Sequence, residues 1–333
     1  MDNKLYTLAG EGNDATAVLL QPKAKGLDAP SFTINADEYP AIPGGFVRSV
    51  RAGIREIFLP LKIVAPTRPE MMRLKRKFIA SLNPSQGLVS LIVTEYTQYS
   101  PGGPWEAEPA RQLTCYYVSG AEGGEESSAG VNWTTYGLVL RATDPYFRGL
   151  ARATASFVRY GKLSPFIAET GSQFLSPDGV TPGDGLVLSA NPEWITSQVV
   201  TNVGEVAAQP RWWIEGPLAS TFSIHLADLA TETARTLRFN KPVTLTTDDA
   251  IFIETAKGEL DIYKQRKDGN GPRTPLWGAV DITSELWALE SGENIVELAI
   301  DKPPGMTPAE ELDWLSRNRP VVSLSYLPGY LGI

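Results

Sequence analysis

From residue 197 onward the chain breaks into eight apolar-rich runs of seven or eight residues, separated by stretches rich in turn formers. They include "PRWWIEG" (210–216), "STFSIHLA" (220–227), "AIFIETA" (250–256) and "VVSLSYL" (321–327). Runs this short are strands rather than helices. Short strands at this spacing predict a β-sandwich. Adjacent residues of a strand point to opposite faces, so "WW" puts one indole of Trp212 and Trp213 on each side, one of them in the core. Within "TFSIHLA", Phe222, Ile224 and Leu226 form the apolar side, which turns His225 outward with Ser223.

The first 150 residues differ in character. "LYTLAG" (5–10), "ATAVLLQ" (15–21) and "FTIN" (32–35) read as short strands. "IREIFLPLKIVA" (54–65) alternates, and Arg55, Ile57, Leu59, Leu61 and Ile63 form its more continuous face. Pro60 has no N–H for a ladder, which predicts an edge or a bulge. "PTRPEMMRLKRKFIASLNP" (66–84) is helical, with Met71, Leu74, Phe78 and Leu82 at helical spacing. Thr67 and Glu70 have capping-box spacing and Asn83-Pro84 stops the helix. Arg73, Arg76 and Lys77 form a cationic face, read as solvated or as a subunit contact. Lys75 falls inside the apolar arc. Two readings stay open for it: a packed stem with a snorkelling amine, or a carboxylate partner on another subunit.

"GLVSLIVTEYTQ" (87–98) and "RQLTCYYVSG" (111–120) read as strands joined by residues 99–110. That loop, with Tyr99, Pro104 and Trp105, is too long for a tight turn and predicts a projecting assembly arm. "NWTTYGLVLRAT" (132–143) is a further strand, ending at "DPYFRG". Asp144 precedes proline and is held extended. With no histidine or thiol nearby in sequence, Asp144, Pro145, Tyr146 and Phe147 read as a joint, the two rings facing opposite sides. The expected division is a domain over 1–150 and another over 151–333, with 161–192 as an insertion. "TPAEELDWLSRN" (307–318) reads as a short helix, again with capping-box spacing at Thr307 and Glu310.

The composition leaves little room for chemistry. The chain has 333 residues, a single histidine, a single cysteine and a net charge of −8. One histidine cannot serve a zinc site without thiols or a second imidazole. Cys115 alone excludes an internal disulfide and a CxxC site. "DGNG" (268–271) begins like a calcium loop, but the position that needs a bidentate Glu is Ala279, so a hairpin turn is expected. "GEGND" (10–14) lacks the GK[ST] of a phosphate loop. Tryptophans 212, 213, 277 and 287 could line a glycosidase cleft, although the adjacent pair divides between faces. No catalytic residue, cofactor or metal is therefore expected, and the charge argues against a dedicated nucleic-acid binder. No apolar run is long enough to span a bilayer, and "MDNKLYTLAGEG" has no secretory pattern, so no membrane insertion is expected.

Several segments, in order, resemble the distal tail protein (Dit) family of long-tailed, siphovirus-type phages. They are "GIREIFLPLKIVAPTRPEMMRLKRKFIASLNPSQGLVSLIV" (53–93), "LVLRATDPYFRG" (138–149), "VTNVGEVAAQPRWWIEGPL" (202–218), "SELWALESGENIVELAI" (284–300) and "RPVVSLSYLPGYLGI" (319–333). The resemblance implies a mainly β fold: a belt domain with one helix, then a galectin-like β-sandwich. It implies a virion protein of the tail tip, assembled in the host cytoplasm. Its homo-hexameric ring would join the tail tube protein to the hub and the tape-measure end, with DNA only in transit through the lumen. A carbohydrate-binding module is the alternative, since such sandwiches can hold sugars on an exposed tryptophan.

Overall fold

The computed structural model describes residues 8–9, 16–40, 42–100, 103–123, 130–157, 197–228, 233–256, 258–301 and 320–333. Between the last two segments it also describes 303, 305–307, 310, 313, 314, 317 and 318. The expected insertion at 161–192 lies outside the described residues. The protein is mainly β and divides into two compact units, residues 1–151 with 329–333, and residues 152–328. The second domain was expected to run to residue 333, but the last five residues pack with the first unit. Each unit has its own buried apolar cluster.

The first unit is built on Arg55–Val64, which pairs with Trp133–Ala142 along its whole length and with Ala17–Leu20 on the other side. Arg111–Ser119 follows, pairing with Val89–Val93 and with Phe147–Gly149. Phe147–Gly149 in turn pairs with Gly329–Tyr330. The alternation read from the sequence holds, since Arg55, Ile57, Leu59, Leu61 and Ile63 all lie on the buried face. Pro60 is no edge residue. It lies opposite Gly137 inside the strand, and its carbonyl accepts from Gln21 N at 2.8 Å. In an antiparallel strand a residue's N and C=O point to the same side. The nitrogen of Pro60 therefore faces Gln21, where the pairing with Ala17–Leu20 breaks off before it resumes at Lys25 opposite Phe58, so the proline stands at an irregularity of that pairing, the second of its two expected places.

The helix Arg68–Ser81 lays Met71 and Phe78 against this core, with Leu82 buried at its end. Its first turn differs from a reciprocal capping box: the Thr67 hydroxyl donates to the Glu70 carboxylate at 2.8 Å. Asn83 stops the helix by accepting from Ser85 N at 3.0 Å, which opens a 3-10 turn over Pro84–Gln86.

The second unit has a sheet ordered Ala153–Ser156, Val321–Tyr326, Arg211–Glu215, Asp249–Glu254, Asp261–Arg266, Thr274–Pro275. A second sheet runs Ser197–Asn202, Gly292–Ile300, Leu218–Asp228, Thr233–Leu245. Both are antiparallel. Trp212, Ile214, Ile251, Ile253, Ile262 and Leu324 of the first sheet share one buried cluster with Phe222, Ile224, Leu226, Phe239 and Leu298 of the second. Trp212 meets Trp287 edge to face at 5.5 Å, and Phe222 stacks on Phe239 at 4.3 Å. Trp212 is buried and Trp213 exposed, the division that two adjacent strand residues require.

Candidate assembly surfaces

Phe32–Glu38 and Gly45–Ala52 form a two-stranded ribbon that, among the described residues, pairs with no other strand. Opposite residues of an antiparallel pair share a face. Phe32, Ala52, Ile34, Val50, Ala36 and Val47 therefore form one face, and Thr33, Arg51, Asn35, Ser49, Asp37 and Phe46 the other. The register slips between Asn35 and Ala36, so the strand Gly45–Ala52 carries one extra residue, Arg48, whose guanidinium reaches Asp37 and lies 5.8 Å from the Phe46 ring. The polar face is knit by Asn35 Nδ2 donating to Ser49 Oγ at 3.0 Å. The apolar face is open: Ile34 and Val50 each keep 60% of their surface in water, and Phe32 47%. A two-stranded ribbon with no third strand is marginal in water. One with an uncovered apolar face calls for a partner.

The expected arm at 99–110 is closed at its base by a strand pair. Its start and end pair as Tyr96–Thr97 with Glu106–Ala107, a short extension of the strands Val89–Val93 and Arg111–Ser119. Tyr96, Tyr99 and Trp105 are among the most exposed aromatic residues, and Pro104 is exposed beside them. Glu108 accepts a hydrogen bond from the Tyr99 hydroxyl, which holds that phenol above its ordinary pKa. On the helix, Arg73, Arg76 and Lys77 point to solvent. Lys75 does not join them: its amine lies 5.5 Å from the centre of the Tyr136 ring, so within the chain its partner is a π face rather than a carboxylate.

The segment Asp144–Phe147 belongs wholly to the first unit. Phe147 is fully buried in that unit's core. Asp144 accepts from Arg148 Nη2 at 2.9 Å, an ordinary exposed pair. Pro145 leads to the feature that sequence reading missed. Its carbonyl accepts from Arg55 Nε at 2.6 Å, while Arg55 Nη1 donates to Gly26 O at 2.9 Å and Asp28 O at 2.6 Å, and Nη2 to Leu331 O. The guanidinium is 5.0 Å from the Phe147 ring centre, and Arg55 as a whole is only 3% exposed. Burial pulls its pKa down, opposed by Cys115 and Asp28. Gly26 has φ +83°, and a Cβ there would stand 2.1 Å from Glu56 O, so a side chain is excluded at this clamp. Arg111 adds a second hold, donating to Gly332 O at 2.6 Å with its guanidinium 4.1 Å from the Tyr330 ring.

Elsewhere, polar residues that sequence reading weighed for chemistry do structural work. Ser223 Oγ lies 2.8 Å from His225 Nε2, and His225 Nδ1 lies 2.8 Å from Thr236 Oγ1. The imidazole thus bridges two hydroxyls across neighbouring strands, with no carboxylate in the place of an orienting group. "DGNG" is a turn, with Gly269 at φ +75° and Asn270 N donating to Asp268 at 2.9 Å. Among the described residues, no cluster of His, Cys, Asp and Glu has metal-binding geometry, and no helix is long and apolar enough to cross a membrane.

No family model and no curated protein matches the sequence. Among solved structures, the chain is similar to Dit (gp 19.1) of phage SPP1, described as a paradigm of the hub adsorption apparatus in phages infecting Gram-positive hosts. The TM-score is 0.55 at 13% identity, over 94% of this chain and 93% of that one. Two structures of the phage P2 baseplate in its activated conformation, with calcium and with strontium, are matched over 95% of this chain and 91% of theirs, at a TM-score of 0.43 and 12–13% identity. Across nearly its whole length, this chain has the fold of the phage Dit protein.

Proposed function

We propose that this protein is a structural part of a phage tail tip, a distal tail protein whose copies close into a six-membered ring. The ring joins the tail tube protein to the hub that carries the tape-measure end, and DNA crosses its channel in transit. The observation that carries this reading is the ribbon. Its apolar face, if covered, would return on the order of 1.5 kcal/mol for each large side chain buried. Among the described residues both of its outer edges are unpaired backbone, one on each strand, so copies can add head to tail. Head-to-tail contacts close into rings when the rotation allows it. Exposed Ile92, Tyr116 and Val118 on the first unit give a second, different apolar surface, as a ring contact requires. The number six and the place in the tail come from the resemblance of the sequence to the Dit family, which the Dit-like fold supports.

A net charge of −8 suits a conduit that must release DNA rather than hold it. The protein acts without catalysis, in the virion, after assembly in the host cytoplasm. Native mass spectrometry of the purified chain over a concentration series tests the reading. A hexamer is expected, and a monomer at every concentration would count against it.

A second reading, carbohydrate adhesion by a galectin-like second unit, has one observation in its favour. Trp213, Phe252 and Tyr263 stand opposite one another on three adjacent strands, with ring centres 5.2 Å apart at each step. Ser323 and Ser156 continue the row on the other side. Aromatic rings beside hydroxyls are the usual floor of a saccharide site. Titration with cell-wall fragments, read by Trp213 fluorescence against Trp213→Ala, separates an adhesin from a pure adaptor.

A further inference from the structure

The ribbon accounts for apolar contacts between copies and leaves two charged surfaces of the first unit unexplained. One is the outer face of the helix Arg68–Ser81. Arg73, Arg76 and Lys77 stand at i, i+3 and i+4, the spacing that gathers side chains on one face. All three are exposed in a protein of net charge −8. The other is the arm. Tyr96 opposes Ala107 and Thr97 opposes Glu106. Glu108 N donates to Glu95 O at 2.8 Å, which continues the same register by one step. Glu95, Glu106 and Glu108 therefore share one face, with Glu95 and Glu108 directly opposite. Like charges in that position repel and destabilise a strand pair. Among the described residues, no ion pair neutralises Arg73, Arg76, Lys77, Glu95 or Glu106. Exposed Tyr99 stands with the carboxylates, its hydroxyl bonded to Glu108, while Tyr96 turns to the opposite face with Ala107.

We propose that the arm of one copy docks on the cationic helix face of the next, its carboxylates meeting Arg73, Arg76 and Lys77. The Tyr99 ring beside Glu108 offers a π face to a guanidinium group. The two surfaces are of opposite charge and lie on different elements of one chain, so they make a heterologous, ring-compatible contact. The occupant of each is a second copy of this chain. This inference rests on the ring reading and adds the electrostatic part of the contact. It also gives the arm a reason to hold three carboxylates on one face: the repulsion within a copy is relieved on assembly. Lys75 takes no part, since its amine is held over Tyr136.

Charge reversal tests the contact with three full-length chains: wild type, Arg73→Glu/Arg76→Glu/Lys77→Glu, and Glu95→Lys/Glu106→Lys. Each reversed chain alone should assemble at roughly tenfold or more higher concentration than wild type. Mixing the two reversed chains in equal amounts should restore rings of even number, because each helix then meets an arm of opposite charge. Wild-type assembly should also weaken between about 0.1 and 1 M salt, as the Debye length shrinks from about 10 to 3 Å. Circular dichroism checks that each chain folds, and the mixing arm needs no variant to assemble alone. Reversed chains that assemble like wild type, or a mixture that assembles no better than its parts, would overturn the contact and leave the ring standing. A wild type that stays monomeric throughout would bring down the ring reading and this contact together.

Discussion

The ribbon Phe32–Ala52 and the Arg55 clamp lie in the same unit and treat their side chains in opposite ways. The apolar face of the ribbon holds four large side chains, Phe32, Ile34, Val47 and Val50, in water. The clamp holds a guanidinium out of water, met by four backbone carbonyls from separate parts of the chain. A buried charge is tolerated only when its donors are satisfied, so the clamp is complete within one chain. Among the described residues of that chain, none covers the apolar face of the ribbon. The difference separates what holds the subunit together from what the subunit presents to others. Charge and hydrophobicity alone would have sorted the two the wrong way round.

The largest effect on folding is expected at the clamp. Arg55→Met keeps a similar stem but removes every donor, leaving the carbonyls of Gly26, Asp28, Pro145 and Leu331 without it. It should cost about 3 kcal/mol or more in urea unfolding of the monomer. A loss near zero would mean that the clamp is incidental and the comparison empty.

A smaller effect, with a defined pH window, is expected at Cys115. Burial raises this thiol from 9.0 to about 11 in the folded chain, with Arg55 pulling the other way. The unfolded chain gives up that proton first. The thiol's contribution to stability is therefore full below pH 9 and is lost as pH rises toward 11, by about 2–3 kcal/mol at most. Cys115→Ala should flatten that part of the stability–pH profile relative to wild type, whatever constant offset its cavity adds. Parallel profiles would show that the thiol is not held protonated beside the clamp.

Much of the fold was legible in the sequence because its signals are periodic. The alternation of Arg55–Ile63, the helical spacing from Met71 to Leu82 and the division of Trp212 from Trp213 all appear as read. The capping box of Thr307 and Glu310 forms as spaced, with Thr307 N donating to the carboxylate at 2.8 Å and Glu310 N to the hydroxyl at 3.4 Å. The ribbon was half legible. Phe32 and Ile34 mark one strand, but the extra residue at Arg48 shifts Val47 and Val50 out of a period of two, which hides the second strand. The clamp was illegible for a different reason. The parity that buries Arg55 is visible, yet its acceptors come from residues 26, 28, 145 and 331, and only the folded chain brings these together. The same holds for the return of Gly329–Tyr330 to Phe147–Gly149, a pairing with no local signal.

The smallest effect on folding should accompany the largest on assembly, at the ribbon. The deciding measurement is native mass spectrometry of Ile34→Ser/Val50→Ser beside wild type, with thermal unfolding of both at a concentration where each is monomeric. Wild type should give hexamers and the variant monomers, with monomer stabilities within about 0.5 kcal/mol of each other, as for exposed positions. A variant that still forms hexamers like wild type, or that unfolds like a core mutant, would contradict the account.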